Sequence, residues 1–139
     1  MRVFLDANVL ISAYFTHTVA YELQQRVLAE HDLVLGLFVA VETERVLTTK
    51  MKAPPEQVSL YLSDLKNRAA HMEPVPTDMA PRGLRDPNDD AVLLSALRGG
   101  ADVLVTRDKD LLDEAARFAG EIVILSPRGF LEWVREEES

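Results

Sequence analysis

Carboxylates are the residues of this chain best placed to do chemistry, and they concentrate in three short stretches. Asp6 directly follows the short run Arg2–Leu5. The second stretch is Asp86-Pro87-Asn88-Asp89-Asp90, and the third is Thr106-Arg107-Asp108-Lys109-Asp110. The first and third follow runs that read as strands, whereas the second opens a helical pattern. In a parallel α/β sheet the C-terminal ends of the strands share one edge, where such folds place their sites. Carboxylates gathered on that edge repel one another unless a cation joins them. Mg²⁺ and Mn²⁺ prefer hard oxygen ligands, and one or two such ions can activate water, orient a phosphodiester and neutralise a leaving oxygen. The three stretches therefore predict a divalent-metal site and metal-assisted chemistry.

Each acid also has an ordinary structural reading. Asp6 suits a turn that ends a strand. Asp86, Pro87 and Asp89 suit the N-cap, N1 and N3 positions of a helix, where carboxylates meet free N–H groups and the positive end of the dipole. Capping gives no reason for Asp90 beside Asp89. Asp108 suits the cap of the next helix, Asp110 its first turn, and Glu42 and Glu44 a solvated helix face. These readings work one acid at a time, but they do not require Asp6, Asp89 and Asp108 to share one rim of one sheet.

The elements that must position these acids alternate between strand and helix. Strands are predicted at Arg2–Leu5, at Leu33-Val34-Leu35 closed by Gly36, over residues 72–75, over residues 102–106 and over residues 121–125. Helical spacing predicts a turn over 9–14 capped by Asn8, and helices over 19–29 and 39–49. Further helices are predicted from Pro54-Pro55 to about His71, over 88–98 with a stop at Gly99-Gly100, over 111–118 and over 127–137. Pro74, Pro76, Pro81 and Gly83 mark a loop. Strands separated by helices imply a parallel sheet covered on both faces.

Composition sets the bounds. The chain has 139 residues, 47% of them hydrophobic and 27% charged, which suits one folded domain spanning 1–139 with a real core. Cysteine is absent, which excludes disulfides and thiolate metal sites and is compatible with a reducing compartment. Asp6 comes too early for a signal peptide, and no apolar run approaches the roughly 20 residues that span a bilayer, so no membrane association and a cytoplasmic location are expected. A net charge of −8 argues against broad electrostatic binding of nucleic acid. It does not exclude an enzyme whose clustered acids are offset by metal.

The ordered motifs resemble those of PIN-domain nucleases. Residues 3–12 (Val-Phe-Leu-Asp-Ala-Asn-Val-Leu-Ile-Ser) resemble the opening motif, and Val41-Glu42-Thr43-Glu44-Arg45-Val46-Leu47 resembles the helix with the second acid. Asp86-Pro87-Asn88-Asp89-Asp90 followed by Ala96, then residues 101–112, resembles the C-terminal acidic half. The resemblance runs in order from residue 2 to about 126 and is nearest to the stand-alone branch that includes VapC-like toxins of toxin–antitoxin pairs. It implies a three-layer α/β/α sandwich with a central, mostly parallel sheet of four to five strands, and a Mg²⁺- or Mn²⁺-dependent endoribonuclease. It also implies an RNA substrate, an antitoxin protein as partner and a homodimer. By position, Asp6, Glu42, Asp89 and Asp108 match the catalytic, metal-holding acids. Glu44 competes with Glu42, and Asp110 stands in reserve. Thr106 matches a hydroxyl position beside the site, and Asn8 and Ser12 match polar residues that support the first acid. Ala7 departs from the family's frequent Thr, which removes a hydroxyl but no ligand.

Other readings remain open on the sequence alone. A catalytically inactive PIN-like module that binds RNA or an antitoxin is the alternative. A phosphatase or receiver-like domain fits less well, because Asp6-Ala7-Asn8 lacks the second Asp of an aspartyl phosphatase and no mid-chain phosphoacceptor pairs with a late Lys. A dinucleotide fold lacks its glycine motif. His17, His31 and His71 show no metal-ligand spacing, so surface or cap roles are expected. Arg82, Arg85, Arg107 and Lys109 stand near the predicted rim, as solvated loop cations or phosphate contacts.

Overall fold

Five parallel strands form one sheet in the order β3-β2-β1-β4-β5. They are β1 (Arg2–Leu5), β2 (Asp32–Gly36), β3 (His71–Glu73), β4 (Val103–Val105) and β5 (Val123–Leu125). Helices α1 (Ala7–Phe15) and α2 (Val19–Glu30) link β1 to β2. Helix α3 (Leu37–Arg45) and α4 (Pro55–Arg68) link β2 to β3, α5 (Pro87–Arg98) precedes β4, α6 (Lys109–Asp113) precedes β5, and α7 (Pro127–Glu138) follows it. The computed structural model describes residues 1–78, 83–84 and 86–138. Pro81, Arg82 and Arg85, all singled out in the sequence, lie outside the described residues.

In β1 and β4 every residue from Val3 to Leu5 and from Val103 to Val105 is buried, with no alternation. Continuous burial means that both faces of the sheet are covered, as in other parallel sheets. The result is the expected α/β/α sandwich. The core runs through Phe4, Leu10, Leu23, Leu35, Leu65, Leu93, Leu104 and Phe130, all fully buried. The apolar stripe expected on α4 is buried there as Val58, Leu62 and Leu65. Gly36 ends β2 against the Phe4 ring, and a Cβ on it would stand 2.6 Å from Phe4 Cζ. Gly100, at φ +72°, turns the chain out of α5 in the left-handed region that favours glycine.

Several boundaries differ from the sequence reading for local reasons. The first helix starts at Ala7 and is capped by Asp6, not Asn8, whose side chain bonds the β4–α6 turn instead. The helix expected over 39–49 is α-helical only to Arg45 and continues as a π-helical turn, Val46–Lys50, with Met51 N–H on Val46 O at 3.0 Å. The hydroxyls of Thr48 and Thr49 donate to the Glu44 and Arg45 carbonyls there, competing with the backbone ladder. Helix α4 stops at Arg68, short of His71. Ala69 is extended, and Ala70 N–H pairs with Leu33 O, so β3 begins at His71 and ends at Glu73 rather than reaching Val75. The helix expected over 111–118 starts two residues earlier and divides into α6 and a 3₁₀ turn, Ala115–Phe118. No helix among the described residues is long and apolar enough to cross a membrane.

Candidate metal centre

From β1 the chain moves outward through β2 to β3, then returns across β1 to β4 and moves the other way to β5. The carboxyl ends of β1 and β4 therefore flank the point where the strand order reverses, which in open α/β sheets opens a crevice. Asp6 leaves β1 there with its N–H on Val105 O at 2.9 Å, and Thr106 leaves β4 with its N–H on Leu125 O at 3.0 Å.

Asp6 is 6% exposed. Its Oδ1 accepts the Ala7 N–H at 2.7 Å and so caps α1, while its Oδ2 accepts the Thr106 hydroxyl at 2.8 Å. The same Thr106 oxygen accepts the Asp108 N–H at 3.0 Å, so one fully buried hydroxyl ties the first acid to the last. Asn8 braces the arrangement. Its Oδ1 accepts the Arg107 N–H at 2.9 Å, and its Nδ2 lies 3.4 Å from Thr106 Oγ1 and 3.5 Å from Asp6 Oδ2. Ser12 bonds elsewhere, accepting from Arg107 Nη1 at 3.1 Å.

The other acids arrive on helix starts. Asp108 caps α6, with its Oδ1 accepting the Asp110 N–H at 2.9 Å. Asp86 caps α5, accepting the Asn88 N–H at 2.9 Å, and the first turn of α5 then presents Asp89 and Asp90, both buried. Asp89, Asp108 and Asp110 each bring a carboxylate oxygen within 4.8 Å of the others. Glu42, half-buried on α3, is not among the clustered oxygens. Its charge adds to the repulsion on Asp6, and its Oε1 is 3.9 Å from Arg45 Nη2. Glu44 is exposed.

Burial pushes the Asp6 carboxyl from the ordinary 3.8 up to about 6; the Thr106 and Ala7 bonds oppose the shift, and the charges of Asp108 and Glu42 add to it. Burial likewise pushes Asp89 up to about 7, reinforced by its hydrogen bond with Asp108 and by the charges of Asp108, Asp86 and Asp6. Among the described residues no Lys or Arg forms an ion pair with Asp6, Asp89 or Asp108. The donors are all hard oxygens, and they carry more negative charge than buried carboxylates sustain alone. That combination fits a divalent cation such as Mg²⁺ or Mn²⁺.

The structure thus gathers Asp89 and Asp108 with Asp110, ties Asp6 to Asp108 through Thr106, leaves Asp86 as a cap, and brings neither Asp6 nor Glu42 into the group of oxygens within 4.8 Å of one another. A cavity of about 130 Å³ beside the cluster is lined by Leu84, Asp89, Asp110, Asp113 and Glu114. Asp113 and Glu114 were not picked out from sequence. Their i+3 and i+4 spacing from Asp110 on one helical face was the available signal. The histidines lie elsewhere: His17 stacks on Tyr21 at 4.4 Å, His31 caps α2 against Phe130, and His71 bonds Glu73 at 2.8 Å.

Comparison with curated proteins gives no match. Among solved structures, the chain is similar to the crystal structure of VapBC2 from Rickettsia felis bound to a DNA fragment from their promoter. The match has a TM-score of 0.62 and 17% identity, and covers 91% of this chain and 98% of that one. This likeness shows the fold. Residues 2–110 match the family model described as PIN domain, and with that match over most of its length the chain belongs to the PIN domain family.

Proposed function

We propose that this protein is a Mg²⁺- or Mn²⁺-dependent endoribonuclease in which Asp6, Glu42, Asp89 and Asp108 hold the metal. The observation that carries this reading is the convergence of acids from β1, α5 and the β4–α6 turn on one crevice, where burial and mutual repulsion raise Asp6 and Asp89. When bound, the ion supplies activation of water and neutralisation of charge on the phosphodiester. The chain's own residues supply position. Thr106 and Asn8 fix Asp6 and the β4–α6 turn, and the caps on α5 and α6 fix Asp89 and Asp108.

The role we infer is that of a toxin in a cytoplasmic toxin–antitoxin pair, acting as a homodimer. The likeness to VapBC2 supports an antitoxin partner. Phe15, Val41 and Leu60, at 44%, 63% and 71% exposure on α1, α3 and α4, are apolar surface that a protein partner would cover.

Cleavage of a labelled single-stranded oligoribonucleotide tests the reading. The wild-type protein should cut with Mg²⁺ or Mn²⁺ and stop on chelation. Asp6→Asn keeps an acceptor for the Ala7 cap, so it should fold yet lose activity by ~100-fold or more. Full activity in Asp6→Asn would overturn the assignment. A folded wild-type protein that never cuts but binds its partner would favour the inactive module.

A further inference from the structure

A cavity of about 550 Å³ lies next to the acid cluster and is not part of it. It is lined by Arg107 and Arg128, by the hydroxyl residues Ser12, Thr16, Thr18 and Ser126, and by apolar residues of α2, α6 and α7. Arg107 joins the two sites. Its N–H is held by Asn8, its guanidinium bonds Ser12 in the cavity wall, and the next residue is Asp108.

Two features make the arginines informative. Five arginines elsewhere, Arg26, Arg45, Arg68, Arg98 and Arg117, form ion pairs with the chain's acids. Among the described residues neither Arg107 nor Arg128 forms an ion pair. Arg128 also sits in the first turn of α7, where the helix dipole disfavours a cation. An anion between the two guanidiniums would relieve both conditions.

Building on the ribonuclease reading, we propose that this cavity receives the nucleotide flanking the scissile phosphate, with its phosphate held between Arg107 and Arg128. Its volume lies within the ~300–1,000 Å³ of small-ligand pockets. Guanidinium and hydroxyl groups suit phosphate and ribose, so the cavity positions the strand without reading the base. The lining hydroxyls offer partners to the ribose 2′-OH.

Equilibrium binding of a labelled single-stranded oligoribonucleotide in chelator, followed by anisotropy, tests this without requiring cleavage. Arg128→Ala should weaken binding about tenfold, by a similar factor for different sequences, and reduce the slope of log K against log salt by ~0.7. Arg128→Lys should restore the slope. Unchanged affinity and slope in Arg128→Ala would overturn the proposal. Because Arg128 is exposed, its variants should fold as the wild type does, which circular dichroism checks. Binding that depends on Arg128 in a protein that never cleaves would retain the subsite and remove the nuclease reading; cleavage without that dependence would do the reverse.

Discussion

Asp6 occupies a position that satisfies two demands. As a cap it stabilises the start of α1 through Ala7, and as a buried carboxylate it faces the charges of Asp108 and Glu42. The strain is electrostatic and so depends on pH. In the folded chain Asp6 and Asp89 hold protons up to about 6 and about 7, whereas the same groups in the unfolded chain release them near 3.8. The folded state therefore binds more protons across that window, and stability must fall as pH rises through it. Metal-free protein should thus lose melting temperature from about pH 4 to about pH 7 and then level off. Mn²⁺ competes with those protons, so its stabilising effect should be small at pH 5 and full by pH 8. Thermal melts with and without chelator measure this; a metal-free Tm that climbs from pH 4 to 7 would show the carboxyls ionised in the fold.

At the level of elements, capping and chemistry separate along α5. Asp86 bonds Asn88 N–H on the exposed side of the turn, whereas Asp89, three residues on, is buried in the cluster. Asp86→Ala should therefore cost ~1 kcal/mol in denaturant unfolding and leave RNA cleavage within about twofold. A tenfold loss of cleavage at unchanged stability would place Asp86 in the site. The sheet was legible because β1, β2, β4 and β5 centre on short apolar runs, the first two closed by Asp6 and Gly36, and α4 because Val58, Leu62 and Leu65 keep one face. The π-helical turn after Arg45 was not, since it depends on which carbonyls the hydroxyls of Thr48 and Thr49 take. The division of residues 109–118 into α6 and a 3₁₀ turn is likewise a matter of local geometry that periodicity does not register. Asp6, Asp89 and Asp108 were singled out by their place after strands and at a helix start. The link that Thr106 makes between Asp6 and Asp108 spans 100 residues on one side, and spacing alone does not reveal it.

For the whole molecule, the strand order decides where chemistry can occur. Reversal between β1 and β4 gathers the ends of distant segments into one crevice, and the chain's net charge of −8 is partly concentrated there. Arg107 and Arg128 line the cavity beside these acids and meet an anionic strand there, and under the proposed function a divalent ion would offset the acids themselves. The central claim is that these acids form one divalent-metal centre. It is tested most directly by calorimetric titration of Mn²⁺ into the wild-type protein and Asp108→Asn, near pH 6.5 in two buffers of different ionisation enthalpy. Saturable binding at millimolar concentration or tighter, with protons released on binding and affinity reduced ~10-fold or more in Asp108→Asn, is the predicted result. No binding at millimolar Mn²⁺, or equal binding by the variant, would contradict it.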